Sequence, residues 1–266
     1  MTGNRLTTIL GLATLAVVSV ALYLIFIWVP TEKEMGIVQR IFYFHMPSAW
    51  VAFLAFFVTF VGGIAYLKTR SRQWDIIASS SAEIGLMFCT ITIITGSIWA
   101  KPIWGTWWTW DPRLTSALIL WLMYASYFLL RSAVTEPSRA ATLSAVVGIV
   151  GFVDVPIVFM SIRWWRTIHP VVIEGTDMHL EGRMVVTLMT GLLAFTLLYA
   201  FFMTLRTRLE RLGDEVAALR HTWEEGYLEQ VPEREIVGGP NVNVIVPNVN
   251  VNVKVNVDVD VNEARQ

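Results

Sequence analysis

Five tryptophans stand between Trp99 and Trp110, in the segment Trp-Ala-Lys-Pro-Ile-Trp-Gly-Thr-Trp-Trp-Thr-Trp, and Asp111-Pro112-Arg113 follows directly. An aromatic belt at a membrane interface uses tryptophan more sparingly than this. Indole rings stack on planar molecules, and the lysine and arginine can pair with anionic groups. The residue types and their spacing therefore predict a binding surface for a large, planar, anionic molecule.

Two histidines lie on either side of this segment in the chain, each close to aromatic residues. His45 follows Phe-Tyr-Phe, with Arg40 five positions earlier, and His169 lies just beyond a Trp-Trp pair. Two imidazoles can serve as axial ligands of a haem iron, while tryptophans pack on the porphyrin and cationic side chains receive the propionates. We therefore expect a bis-histidine haem site. His179, in a more polar stretch, is the alternative to His169.

The charged residues that follow the tryptophans each have two interpretations. Asp111 precedes a proline, which is typical of a helix N-cap with proline in the first helical position. We expect Asp111 to cap the fourth helix. Arg113 either pairs with Asp111 or binds a haem propionate, and the sequence favours neither.

The composition is that of a membrane protein. Apolar residues make up 55% of the chain, charged residues 15%, and the mean hydropathy is +0.56. We predict an all-α integral membrane protein, a bundle of about six transmembrane helices. The predicted spans cover residues 6–28, 49–67, 76–99, 116–130, 140–162 and 184–205.

The distribution of lysine and arginine predicts the orientation of the bundle, with both termini in the cytoplasm. The tryptophan segment, His45 and His169 then lie on the outer side of the membrane. The excess of basic residues on the cytoplasmic side is modest, because the outer connections also carry arginines. Those arginines are consistent with an anionic ligand.

Three segments follow from the change in composition along the chain: a transmembrane domain (1–205), a cytoplasmic amphipathic helix (206–237) and a low-complexity tail (238–266) rich in valine and asparagine. The second segment is a short coiled coil or an amphipathic helix that docks on a partner, or else a helix lying on the membrane surface. Its apolar residues recur at spacings of four and three: Leu205, Leu209, Leu212, Val216, Leu219 and Trp223. The tail alternates as a β-strand does, and either an edge-pairing strand or disorder is compatible with it.

Asp154 lies inside the fifth predicted span, where a carboxylate is costly and is a functional hypothesis by default. Its neighbour Pro156 kinks a helix and releases a backbone carbonyl. A structural role at this kink is the favoured interpretation, and a role in haem movement is the alternative. The single cysteine, Cys89, is expected to serve packing.

Three segments together resemble the CcmC family, the haem exporter protein C of cytochrome c maturation. They are Trp-Gly-Thr-Trp-Trp-Thr-Trp-Asp-Pro-Arg-Leu-Thr (104–115), Arg-Ile-Phe-Tyr-Phe-His-Met-Pro (40–47) and Ser-Ile-Arg-Trp-Trp-Arg-Thr-Ile-His (161–169). The resemblance implies that His45 and His169 are the axial ligands of a transiently, non-covalently bound haem b. It places the site on the periplasmic face of the bacterial cytoplasmic membrane. The other expected haem-binding residues are Arg40, Trp104, Trp107, Trp108, Trp110, Asp111 and Arg113.

The resemblance also implies partners. Proteins of this kind present haem to the chaperone CcmE and work with CcmD and the ABC-transporter subunits CcmA and CcmB, in contact with membrane lipid and without nucleic acid. Two residues depart from the expected pattern: Pro170, where a glutamine is expected, and Asp154 in a span. They affect the expected local geometry more than the expected function.

Other functions fit the sequence less well. The chain shows neither a nucleophile with its base nor a phosphate-binding glycine loop, so we expect a delivery protein and not an enzyme. A haem ligase of the same superfamily would carry more spans or a large outer domain. A b-type electron-transfer protein would hold histidine pairs within its spans, and no predicted span contains a histidine. A plain permease would leave the tryptophans unexplained.

Overall fold

The computed structural model describes residues 2–165, 173–174, 177–178 and 180–230. Apolar segments of this length form helices because a backbone in lipid must satisfy its own hydrogen bonds. The helices are α1 (Thr2–Tyr23, continued by a π-helical turn Leu24–Trp28), α2 (Phe42–Thr69), α3 (Arg72–Trp104), α4 (Pro112–Ala133), α5 (Pro137–Phe152), α6 (Asp154–Trp164) and α7 (Gly182–Gln230). Two short strands, β1 (Ile173–Glu174) and β2 (Asp177–Met178), pair antiparallel between α6 and α7.

The helices confirm the all-α fold and the six spans. Among the described residues, six segments are long and apolar enough to cross a membrane, so the chain is a multi-pass membrane protein. The fifth segment is interrupted between α5 and α6, at Val153. Pro156 accounts for the break, because its ring conflicts with the carbonyl four residues earlier, at the last residue of α5. The kink expected beside Asp154 is therefore present.

Two predicted span boundaries are wrong, and both lie at the end of the bundle that carries His45. A 3-10 turn (Ile37–Ile41) leads directly into α2, so the helix begins at Phe42 and Pro47 lies inside it. Likewise α3 continues through Pro102 to Trp104. A proline near a helix end is tolerated because it removes few backbone hydrogen bonds. Next to Pro47, the Ser48 hydroxyl donates to the Phe44 carbonyl oxygen at 2.7 Å.

His45 therefore lies in the first turn of α2, within a membrane-spanning segment. The sequence-based statement that no span contains a histidine is wrong. The histidine is nevertheless at the end of its span, where the chain enters the bundle.

The central helix is α2, which packs against α3 and α5, and α4, α6 and α7 contribute buried residues to the same core. The rings of Phe56 and Tyr124 stack with centroids 3.6 Å apart. The Ser81 hydroxyl lies 2.7 Å from the Ala55 carbonyl oxygen and 2.8 Å from the Tyr199 hydroxyl, so one residue of α3 contacts α2 and α7. These contacts set the register of α2 against α3.

A charged cluster joins the helices at the end opposite His45. Asp75 is 3% exposed, and its carboxylate accepts two hydrogen bonds from Arg131, at 2.6 and 3.0 Å, and another from Arg72. The Arg206 guanidinium bonds Glu83 at 2.6 Å nearby on the more exposed surface. The buried carboxylate is thus satisfied by two arginines, as a charge in an apolar bundle requires.

A carboxylate side chain caps the N-terminus of both α4 and α5, the two helices whose first residue is a proline. Asp111 Oδ1 accepts hydrogen bonds from the backbone of Arg113 (2.9 Å) and Leu114 (3.3 Å), which confirms the predicted cap of α4. Glu136 caps α5 in the same way. The Ser138 hydroxyl and the backbone N–H groups that bond Glu136 hold the pKa of that carboxyl below its usual range.

The chain divides into two compact units, Met1–Arg211 and Leu212–Gln266. The first holds the central packing just described. In the second, the described residues are helical, and Leu212, Val216, Leu219 and Trp223 are exposed. The three-segment division stays a prediction, and the valine–asparagine tail (238–266) lies outside the described residues.

Candidate functional site

His45 is held by residues of α3. Its Nδ1 lies 3.1 Å from Thr95 Oγ1, and its ring meets the edge of Trp99 with centroids 6.0 Å apart. Phe42 also meets Trp99 edge to face, with ring centroids 5.9 Å apart. The imidazole is half-buried at one end of the bundle, so it is oriented by protein contacts and remains near the surface.

An apolar cluster anchors this turn of α2. Phe42 and Tyr43 are buried with Ile25 and Val29 from the end of the first span and with α7 residues such as Met184. Three spans therefore hold the backbone that carries His45. The ring position is set by packing, which the sequence pattern could not indicate.

The connection after α3 is shorter than the sequence suggested. Trp99 and Trp104 lie on α3, so the tryptophan loop proper comprises residues 105–111. Gly105 ends the helix with φ +73°, a left-handed conformation that glycine adopts without strain. The Lys101 ammonium donates to the Gly105 carbonyl oxygen at 2.9 Å.

Hydrogen bonds within the tryptophan loop hold its shape. The Thr106 hydroxyl donates to the Trp108 carbonyl oxygen at 2.9 Å. The Thr109 hydroxyl donates to Asp111 Oδ2 at 2.7 Å, so the cap of α4 also fixes the end of the loop. A loop tied at both ends can present its indoles in one arrangement.

The loop indoles are largely exposed. Trp107 is 56% and Trp110 76% exposed, whereas Trp108 is half-buried and meets Trp110 edge to face at 5.8 Å. Large exposed aromatic surfaces in a folded protein indicate a ligand, a partner or the membrane interface. The same end carries the exposed pair Trp164 and Trp165, at the end of α6.

Three buried nitrogen donors at this end have no hydrogen-bond partner among the described residues: Arg40 Nε, Trp99 Nε1 and Trp108 Nε1. Buried donors are normally satisfied, so unsatisfied ones call for an explanation. Anionic oxygens, such as the propionates of a porphyrin, would accept from such groups. The donor set, the half-buried imidazole and the exposed indoles together fit haem as a bound cargo.

The other expected residues are accounted for as follows. Arg113 lies in the first turn of α4, where its backbone N–H donates a hydrogen bond to the Asp111 carboxylate. His169 and its alternative His179 lie outside the described residues. Sequence reasoning missed Thr95, whose interest comes from its contact with His45 50 positions away. Arg183 belongs to the outer arginines noted in the sequence, and its guanidinium lies 5.2 Å from the ring centre of Trp28.

A multi-pass membrane protein with a histidine and a tryptophan loop at one end of its bundle is the class that fold and site define. Residues 1–222 match the CcmC family, described as "Heme exporter protein C", and the chain belongs to that family.

Curated relatives agree with this membership. The chain is 35% identical over 213 residues to "Heme exporter protein C" of Bradyrhizobium diazoefficiens, which covers 79% of this chain and 81% of the relative. It is 32% identical over 201 residues to the protein of the same name in Rhodobacter capsulatus (73% and 81% covered). The corresponding figures for Haemophilus influenzae are 29% over 218 residues (80% and 87%).

Proposed function

We propose that this protein binds haem at the His45 end of its bundle and hands it on during cytochrome c biogenesis. Membership of the family and the names of its relatives support haem as the cargo. The observation that carries the proposal is the half-buried His45 imidazole, fixed against Thr95 and Trp99 at the end of the bundle where the tryptophan loop lies.

In this proposal His45 and His169 are the axial ligands of a non-covalently bound b-type haem. When bound, the iron supplies the coordination bonds, and the protein supplies orientation and charge. Exposed indoles of the tryptophan loop stack on the porphyrin, while Arg40 and Arg113 face its propionates. In this scheme this chain forms no covalent bond with haem, so it acts by binding and release.

The recipient in this scheme is the haem chaperone CcmE, and the protein works within a CcmABCD-type complex. The sequence of this chain carries no phosphate-binding glycine loop. Any energy from ATP hydrolysis would therefore come from the ABC-transporter subunits CcmA and CcmB. The basic residues of the connections favour cytoplasmic termini. The haem site would then face the periplasm.

Substitution of His45 tests the proposal. The full-length protein is purified with its bound haem from cells that co-express CcmE, and both the absorption spectrum and the haem covalently held by CcmE are measured. His45→Ala should lose haem or its low-spin spectrum, lower the yield of haem-loaded CcmE, and be partly rescued by imidazole. His221→Ala, at an exposed position of α7, is the matched control and should behave as wild type. Wild-type haem content and spectra in His45→Ala would overturn the assignment.

A further inference from the structure

We infer that Thr95 is a positioning residue that holds His45 in the tautomer able to coordinate haem iron through Nε2. This inference rests on the proposed function, because it concerns how the same histidine would bind its cargo. It is carried by the hydrogen bonds of Thr95 and by the packing of the imidazole against α3.

The hydroxyl proton of Thr95 is already committed within α3. Thr95 Oγ1 lies 2.7 Å from the Ile91 carbonyl oxygen and 3.2 Å from that of Thr92. The hydroxyl has one proton, and its shortest contact is the one to the Ile91 carbonyl oxygen, which can only accept, so we assign the proton to that contact. What Thr95 Oγ1 offers to His45, 3.1 Å away, is therefore a lone pair.

With this assignment, His45 Nδ1 is the donor in this contact. A neutral imidazole carries one N–H, so a proton on Nδ1 leaves Nε2 with the lone pair. A metal-bound histidine commonly donates its other ring N–H to a nearby acceptor, which fixes the tautomer and raises the basicity of the ligating nitrogen. Thr95 supplies this acceptor before any haem is bound.

Neighbouring residues of α3 complete a cradle for the ring, formed by Thr95, Gly96 and Trp99. A Cβ atom at Gly96 would stand 3.0 Å from His45 Cε1, so the imidazole would have to shift by a few tenths of an ångström to accommodate a side chain at this position. Trp99, one helical turn beyond Thr95, meets the ring edge to face. The three positions supply an acceptor, the space for the ring and an aromatic wall.

A merely structural hydrogen bond between α2 and α3 is the competing explanation, and tautomer spectroscopy separates the two. The full-length protein is labelled with ¹⁵N at its histidine rings and studied without haem, at a pH where imidazole is neutral. The His45 signals are assigned by their loss in His45→Ala. Wild type and Thr95→Ser should show Nδ1–H with unprotonated Nε2, and Thr95→Val should populate the Nε2–H form.

Haem titration provides the second measurement. Thr95→Val should bind haemin about 10-fold more weakly or worse, and the reduction potential of the bound haem should rise, because a less basic ligand stabilises ferric iron less. Thr95→Ser should restore both values. Thr204→Val removes another threonine hydroxyl that bonds the carbonyl four residues earlier, at 2.8 Å in α7, and should change neither.

The outcomes distinguish the inference from the proposed function. If His45→Ala loses haem while Thr95→Val keeps the wild-type tautomer, affinity and potential, the positioning role is overturned and His45 remains the ligand. If His45→Ala keeps wild-type haem, the proposed ligand itself is overturned. If Thr95→Val is too unstable to purify, Gly96→Ala repeats both measurements with the hydroxyl intact and should lose the Nδ1 hydrogen bond and haem affinity together. Wild-type values in Gly96→Ala would overturn the cradle.

Discussion

Single indole rings of the tryptophan loop should contribute measurably to haem affinity. Trp110→Ala and Trp108→Ala each remove an aromatic surface worth about 1–3 kcal/mol when buried against a porphyrin. We expect haem affinity to fall roughly 5- to 150-fold in a spectroscopic titration. Trp223→Ala, which removes a similarly exposed indole from the second unit, is the matched control.

The corresponding multiple variant decides between ligand binding and membrane anchoring. If an alanine triple variant at Trp104, Trp108 and Trp110 inserts normally and still loads CcmE at the wild-type rate, these indoles act only as an anchor at the membrane interface. Normal insertion is checked by the amount of protein in the membrane fraction.

Asp111 should act mainly as a helix cap. Asp111→Ala leaves the first backbone N–H groups of α4 without their side-chain acceptor and should cost about 0.5–2 kcal/mol of stability. Asp111→Asn keeps an amide oxygen in the same place and should melt close to wild type in a thermal scan in detergent. A loss of haem affinity in Asp111→Asn without a change in melting would show that the charge itself matters, for example by pairing with Arg113.

At the scale of helices, the buried cluster around Asp75 should be the strongest electrostatic tie between α3 and α4. Arg131→Leu removes one partner of the buried Asp75 carboxylate, and Asp75→Leu removes the partner of the Arg131 guanidinium. Each substitution should lower the free energy of unfolding by about 3–5 kcal/mol. The double variant should recover part of this loss, because both charges are then absent. Thermal unfolding followed by circular dichroism measures the difference.

The exposed pair between Arg206 and Glu83 provides the comparison. Both side chains are partly solvated, so Glu83→Gln should cost about 1 kcal/mol or less. A loss equal to that of Arg131→Leu would contradict the distinction between buried and exposed pairs.

At the scale of the whole molecule, orientation can be tested by thiol labelling. The native Cys89 is only 5% exposed, so its background should be low. A membrane-impermeant maleimide added to intact spheroplasts should label Glu34→Cys, in the connection before α2, and should spare Thr135→Cys, in the connection before α5. The reverse pattern would place the His45 end in the cytoplasm.

The valine–asparagine tail should be dispensable for haem loading. It offers neither iron ligands nor a porphyrin surface in its sequence, and the proposed topology puts it across the membrane from the site. Truncation after Val237 should therefore leave the haem content unchanged, measured by absorption per mole of protein. Loss of haem in a truncated protein that still inserts would show that the topology or the role of the tail is wrong.

The sequence by itself determined the features that depend on local chemistry. The six spans follow from apolar segments of bilayer length, and the break beside Asp154 follows from Pro156. The cap at Asp111 follows from a carboxylate placed before a proline. Each of these features depends on hydrogen bonds or solvation within a short stretch of the chain, so the local sequence is sufficient to predict it.

Only the tertiary structure decided how His45 is held. The prediction chose this histidine for its aromatic neighbours in the chain, but its contacts with Thr95 and Trp99 come from another helix, about 50 positions away. The helix boundaries near Pro47 and Pro102 likewise depend on neighbouring turns and packing. A single sequence carries no signal for such pairs, because the contact between two helices depends on how all the spans pack together.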